Sequence, residues 1–300
     1  MQAQRSVLPG GRLHYQHGPI DLVIAAEGEE AAVAAAHEAA WRRFTTVLGE
    51  LVAELPLLRQ PVQAGMPCPL QRPVARRMWR ACAALGAGFI TPMAAVAGAV
   101  AQELIGCYQQ PGIVRAWVNN GGDIALHLAP GAQARVGLFA DLARFDVCST
   151  AAPATDARFT VDAAMPVRGV ATSGWRGRSF SLGIADSVTV LAGTAAEADA
   201  AATVIANAVN ADHPGIVRRP ACTLKDDTDL GEWPVTVDVP PLPPAVVAAA
   251  LQAGRHKARQ LQSRGLVHAA MLVCQGRFVG VDNDDSARPA RPLATGSVLA

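Results

Sequence analysis

The 300-residue chain predicts an α+β fold with a mainly antiparallel sheet. Three observations carry that prediction. Strand-like and helix-like stretches interleave without a regular βαβ rhythm. The segment Asn119-Asn120-Gly121-Gly122-Asp123 lies between two β-rich runs, and Asn-Gly in such a place is the strongest short hairpin signal. The longest helical stretch carries its apolar residues at three- and four-residue steps, the mark of a helix with one buried face.

In chain order, residues 12–26 predict a strand, a turn at Gly18-Pro19 and a second strand. A long helix is expected from Glu29 to Leu55, with Val33, Ala40, Phe44, Leu48, Leu51 and Leu55 as its apolar stripe and Pro56 as its stop. Residues 56–73 are rich in Pro and Gln and predict a loop; a helix follows over 74–85. Thr91-Pro92 has the form of a helix start, with Thr as cap and Pro at the first position. The helix after it, "MAAVAGAVAQELI", is built almost wholly of small residues, which let another backbone or a ligand come close. Strands are expected on both sides of the Asn-Gly turn and at 134–139, 159–161, 167–171, 179–184 and 187–192. A helix over 195–210 comes next. Residues 234–244 are extended and Pro-rich, a helix covers 245–264, and a strand covers 265–281. One domain is expected over residues 1–280, with 281–300 as a tail.

Composition narrows the function. With 51% hydrophobic and 17% charged residues the chain is a folded globular protein. A net charge of +1 and 5% aromatics give no basis for nucleic-acid binding. Six scattered cysteines without a C-x-x-C pair offer neither zinc spacing nor a disulfide framework, and they suit a reducing cytoplasm. The N-terminal residues lack the apolar core of a signal peptide. The most apolar stretch, Ala81–Leu104, is interrupted by glycines, Pro92 and Glu103, so no membrane span is expected.

Three stretches could carry chemistry. In "NNGGD" the adjacent glycines Gly121 and Gly122 expose backbone N–H groups to an anion, and Asp123 could hold a ribose hydroxyl; a plain tight turn explains the same residues. In "GVATSGW", Thr172 and Ser173 offer hydroxyls beside Gly174, flanked by Arg168, Arg176 and Arg178, which would suit a phosphate. In the alanine-rich helix, Asp199 and Thr203 are four residues apart and share a face. Two hard oxygens there could hold Mg²⁺, with substrate phosphates and water completing its shell; alternatively they are a surface Asp and a Thr bonded to its own helix.

Taken in order, "VNNGGDIAL", "GVATSGW" and "DSVTVLAGTAAEADAAAT" resemble the ApbE family, the Mg²⁺-dependent FAD:protein FMN transferases. The segments "FITPMAAVAGAVAQEL", "VARRM" and "HGPIDLVI" resemble a cytosolic branch of that superfamily. The resemblance implies a two-layer α/β body with packed helices and a flavin-nucleotide cleft. It implies Asp199 and Thr203 as Mg²⁺ ligands. Asn119, Gly121, Gly122 and Asp123 would line the dinucleotide site, with Thr172, Ser173 and Gly174 beside it. FAD or FMN would be the ligand.

The chain also departs from the transferase pattern. Ala97-Gly98-Ala99 stands where the transferases have Lys-Gly-Tyr, and the interval "WRGRSFSLGIAD" lacks their histidine. His127 is the candidate substitute base, and Asp186 would need a large pKa shift to serve. Three readings follow: a transferase or FAD hydrolase, an enzyme acting on a pteridine-type substrate, or a non-catalytic module that binds a cofactor. An Ala- and Val-rich chain with exposed strands could also form a homodimer.

Overall fold

The computed structural model describes residues 2–63, 65–86, 88–138 and 157–282. The chain divides into two compact units. One takes residues 1–134, 160–171 and 191–200; the other takes 135–159, 172–190 and residues from 201 onward.

The first unit is a meander with helices. Strands β1 (Gln4–Val7), β2 (Leu13–His17), β3 (Ile20–Gly28), β4 (Ile113–Asn120) and β5 (Asp123–Leu128) pair successively and antiparallel. The next strand in the order is β8 (Gly169–Ser173), where Ile124 faces Val170 antiparallel. Between them the chain forms β6 (Gln133–Leu138) and β7 (Ala157–Asp162), a separate two-stranded sheet. The expected mainly antiparallel α+β architecture is therefore present.

Helix α1 (Glu30–Ala53) buries Ala36, Ala40, Phe44, Val47 and Leu51. Val33 and Leu48 are only half-buried, so the stripe is rotated from the expected one. Pro56 does not end the helical path. Glu54 leaves the helical region, and a single turn, α2 (Leu55–Leu58), follows with Pro56 in its first turn, where a missing N–H costs nothing. Helix α3 (Pro73–Leu85) starts where the Glu54 carboxylate accepts the N–H groups of Gln71 and Arg72 at 2.7 and 2.9 Å. At Thr91-Pro92 the cap expectation fails. A 3-10 turn occupies Pro92–Ala95, Thr91 makes no side-chain cap bond, and α4 (Val96–Ile105) begins only after Ala95. Helix α4 lies on β4 and β5. Tyr15, Leu22, Ile24, Phe44, Met78, Leu104 and Tyr108 fill the core of this unit.

The second unit carries the order β8-β9-β12-β13, with β9 at Ser187–Ala192. The expected strand at 265–281 is a hairpin. Strands β12 (Ala269–Cys274) and β13 (Arg277–Val281) pair antiparallel across Gln275-Gly276, both at positive φ (46° and 72°). Two such residues make the tight turn whose twist matches the strands. Helix α6 (Pro244–Ser263) covers β12 and β13. The Pro-rich stretch contributes a strand, β11 (Pro234–Asp238), paired with β10 (Val217–Pro220).

Residues 179–184 form no strand. Their backbone groups are satisfied instead at the end of helix α5 (Ala195–Ala208). Leu182 N–H donates to Asn207 Oδ1 (2.9 Å), Ile184 N–H to the Val209 carbonyl (2.8 Å), and Asn210 Nδ2 to the Leu182 carbonyl (3.1 Å). Gly183 allows this approach, because a Cβ there would lie 2.1 Å from the Ala206 carbonyl oxygen. The expected tail lies, apart from residues 281 and 282, outside the described residues, as does Cys148; the other five cysteines are free thiols.

Candidate functional site

The chemistry of the first unit gathers where α4 begins. Ala95, at the cap position, has no side chain that could cap the helix. Ala97 and Gly98 are the second and third residues of α4, and their N–H groups have no partner within the helix. The carboxylate of Asp199 supplies one. Its Oδ2 accepts the Gly98 N–H at 2.9 Å, and the Ala97 N–H also bonds the carboxylate. This is a long-range cap, favoured further by the positive end of the helix dipole. The approach requires glycine, since a Cβ at Gly98 would lie 2.2 Å from the Ala195 carbonyl oxygen and 2.9 Å from Asp199 Cβ.

The start of α5 fixes Asp199 in place. The Thr194 hydroxyl donates to Glu197 Oε2 at 2.9 Å and accepts the Glu197 N–H at 3.3 Å, a variant of the capping box. Gln102 of α4 accepts the Ala196 N–H at 3.3 Å. In sequence this start is legible as Thr-x-x-Glu. Along α5, Asp199, Thr203 and Asn207 keep some exposed surface, each one turn from the next, while Ala198, Ala200, Ala201 and Ala202 are buried, and the Asp199 carboxylate itself lies inside the protein.

The hairpin brings a second carboxylate. β4 and β5 are joined by Gly121 and Gly122, at φ 64° and 114°. Asn119 Oδ1 accepts the Gly122 N–H at 2.8 Å and so closes the turn. Asn120 Nδ2 donates to the Ala97 carbonyl at 3.1 Å, tying the hairpin to the start of α4. Asp123 is buried, and its charge reaches Asp199. Burial first, and the Asp123 charge second, push the Asp199 carboxyl well above the usual carboxylate range; the two helix N–H bonds pull it down and are outweighed. Among the described residues no Lys, Arg or His forms an ion pair with Asp199. Nor does any group of three or more His, Cys, Asp or Glu come together among them. Burial of Asp199 and the charge on Asp123 both disfavour a negative charge on Asp199. A proton or a cation bound by hard oxygens neutralises that charge.

The other predicted residues take defined places. In the second unit the Thr172 hydroxyl pairs with Thr189 Oγ1 at 2.9 Å, and Ser173 is half-buried. Gly174 is buried, where a Cβ would lie 2.3 Å from the Asp186 carbonyl oxygen. Asp186 is a structural anchor there: it accepts the Gln275 N–H, the Trp175 indole N–H at 3.3 Å and the Arg176 guanidinium at 3.1 Å. Arg176 also stacks on Trp175. Arg168 is not available for a phosphate. Its guanidinium donates to the carbonyls of Ala163, Met165 and Val167 at 2.6–2.9 Å and holds that turn together. His127 lies in β5, four residues and about 13 Å of strand from Asp123. Its Nε2 is 3.3 Å from the Ile113 carbonyl oxygen. The electrostatic link between Asp123 and Asp199 leaves no signal in the sequence, because the two residues lie far apart along the chain.

Fold and site together define an α+β protein in which the Asp199 carboxylate caps the start of a small-residue helix and is influenced by the charge of Asp123. The chain belongs to the family described as AbpE bacteria, which it matches over residues 5–280. It is 36% identical to a UPF0280 protein of Methanopyrus kandleri over 63% of this chain and 73% of that one. It is 38% identical to a UPF0280 protein of Methanosphaerula palustris over 48% of this chain and 54% of that one. The chain thus spans about half to three-quarters of the length of these relatives. Among solved structures, a mutant of the flavin transferase ApbE from Vibrio cholerae aligns with TM-score 0.45 at 12% identity, covering 94% of this chain and 97% of that one. The ApbE protein of Thermotoga maritima aligns with TM-score 0.44 at 12% identity, covering 95% and 97%. No helix among the described residues is long and apolar enough to cross a membrane.

Proposed function

We propose that this chain binds a flavin nucleotide, FAD or FMN, together with Mg²⁺. The observation that supports it most is the crowded pair Asp123 and Asp199 at the start of α4. The donor set suits a hard divalent cation: Asp199 supplies a carboxylate, Asp123 a second negative charge, and Thr203 a hydroxyl one helical turn, about 6 Å, further along α5. When bound, the ion would neutralise the acidic pair and attract the phosphates of a nucleotide. The N–H groups of the Gly121-Gly122 turn, with Asn119 holding it closed, suit an anionic group. Thr172, Ser173 and Gly174 remain candidates for further contact with the nucleotide. Membership of the AbpE family and the motif resemblance favour flavin over other nucleotides. A cytoplasmic protein agrees with the free thiols.

The test is calorimetric titration of FAD into the protein with Mg²⁺ and with EDTA. Binding is expected with Mg²⁺, weakened at least tenfold by EDTA and by Asp199→Asn. FAD affinity equal in all three cases would overturn the metal assignment. No affinity for FAD or FMN would overturn the flavin assignment and turn attention to pteridine-type heterocycles.

A second reading, binding without turnover, is favoured by the position of His127 at the Ile113 carbonyl, a strand's length from the acidic pair. Incubation with FAD and Mg²⁺ separates the two. Release of AMP and FMN marks an enzyme; intact FAD recovered after denaturation marks a cofactor-binding module.

A further inference from the structure

We propose that strand β1 joins one copy of this chain to a second copy, the two β1 edges pairing antiparallel about a two-fold axis at Ser6. Strands β1 and β2 and helix α1 all lie in the first unit. In the nine-stranded sheet β1 is a terminal strand, paired with β2 alone. The register sets Gln4 against Gln16, Arg5 against Tyr15, Ser6 against His14 and Val7 against Leu13, and the Leu8 N–H continues it by donating to the Arg12 carbonyl at 2.7 Å. Backbone groups alternate in direction along a strand of an antiparallel pair. With Leu8 turned toward β2, Ser6 and Gln4 are turned the same way, and the N–H and C=O groups of Arg5 and Val7 point outward. Among the described residues no second strand meets them. Edges of this kind are usually guarded by a lysine or a proline. Gln4–Leu8 contains neither, and its one charge, Arg5, lies over Trp41 of α1 at 5.2 Å and pairs with Glu38 at 2.6 Å.

A second β1 fits this edge in one register. Outward-pointing residues must face outward-pointing residues, so the axis passes through Arg5, Ser6 or Val7. An axis at Arg5 sets two arginines directly opposite each other, which is destabilising. An axis at Val7 sets Arg5 opposite Pro9, which has no N–H to give and lies in the 3-10 turn Pro9–Gly11. An axis at Ser6 sets each Arg5 opposite the other copy's Val7, and both pairs exchange N–H and C=O bonds in each direction. Arg5 and Val7 share the face of the sheet that carries α1, since Arg5 reaches Trp41. Val7 is 73% exposed, the most open large apolar side chain among the described residues. In this register it is covered by the aliphatic stem of the opposite Arg5. The edge thus offers itself the groups it lacks, as a two-fold interface requires. Each Arg5 charge is already met by its own Glu38, and the whole-chain charge of +1 adds no appreciable repulsion between copies. So short a strand buries less than the roughly 800 Å² per partner of a standard interface, so the dimer is weak and forms as concentration rises.

The experiment joins sedimentation equilibrium on the full chain, from tens to hundreds of micromolar, with cysteine cross-linking. The expected mass rises toward twice 31.1 kDa. The two Ser6 residues form a non-hydrogen-bonded pair with Cα atoms about 4.5 Å apart, within disulfide reach. Under mild oxidation Ser6→Cys should therefore give a covalent dimer at least tenfold faster than Gln4→Cys, whose two copies are offset by about 13 Å along the strands. Wild type, with its own thiols, gives the background. Val7→Pro removes an outward N–H and leaves the bonds between β1 and β2 in place; Val7→Lys puts a charge on the edge. Each should weaken the dimer at least tenfold. Circular dichroism checks folding, and should Val7→Pro lose its fold, Val7→Lys carries the test. A wild type that stays monomeric throughout, a dimer untouched by the Val7 variants, or faster cross-linking of Gln4→Cys or Arg5→Cys than of Ser6→Cys would each overturn the proposal.

Discussion

Gly98→Ala tests how the acidic pair is held. A helix interior ordinarily gains about 1 kcal/mol when Gly becomes Ala. Here the new Cβ would lie 2.2 Å from the carbonyl oxygen and 2.7 Å from the carbonyl carbon of Ala195, where ordinary contact is about 3.5 Å. The colliding atoms are backbone at the first residue of α5, so no side chain can swing aside. Overpacking of this kind costs about 1–3 kcal/mol. Parting α4 from α5 also strains the 2.9 Å bond from Gly98 N–H to Asp199, and a hydrogen bond to a charged group contributes about 1.5–3 kcal/mol. The balance is a loss of about 1.5–5 kcal/mol. The control is Gly49→Ala in α1, where a Cβ meets nothing within 4 Å; it should stabilise by about 0.5–1 kcal/mol. Urea denaturation of both variants reads the two signs side by side. A Gly98→Ala protein as stable as wild type would refute the account of the α4–α5 contact.

Three further outcomes are expected. Burial raises the Glu103 carboxyl, but Arg43 and Arg77, at 2.7 and 2.6 Å, outweigh it and hold the pKa below the usual value of 4.5. Its contribution is therefore full above pH 4.5 and is lost as pH falls through the lowered folded-state value. Glu103→Gln should cost about 2 kcal/mol at pH 7, and urea midpoints of the two proteins should converge only at pH below the lowered folded-state value. Arg168→Lys gives up a fork that reaches three carbonyls and should cost about 1–3 kcal/mol, measured by thermal melting. Gln275→Gly relieves a left-handed residue, a gain of about 1 kcal/mol. It also deletes side-chain bonds to Pro240 O (2.7 Å) and Leu242 N (2.9 Å), worth about 2 kcal/mol together; a net loss near 1 kcal/mol is expected in the same melt.

The elements legible in sequence were those fixed by local chemistry. The Asn119–Asp123 turn declared itself through two adjacent glycines, and the long helices through periodic apolar spacing. Residues 179–184 misled because their alternation resembles a strand, while their hydrogen-bond partners, Asn207 and Asn210, lie at the far end of another element. The β12–β13 hairpin was hidden by Gln275, which takes a positive φ that its side-chain bonds hold and its residue type does not advertise. Ala97-Gly98 read as the place of a missing lysine. The sequence could not show that its bare N–H groups were the feature that mattered, since their partner, Asp199, lies 101 residues away.

The order of the strands bears on how the chain assembles. From β1 to β3 each partner is the next strand along the chain, and β4 and β5 add to the same edge in sequence. β3 meets β4, and β9 meets β12, only across some eighty residues of chain. Local closure is fast and distant closure slow. Pulse-labelled exchange during refolding should therefore find the amides of the hairpins β2–β3, β4–β5 and β12–β13 protected before those at the β3–β4 and β9–β12 seams, so that hairpins formed as the chain leaves the ribosome wait for the long-range seams that join them.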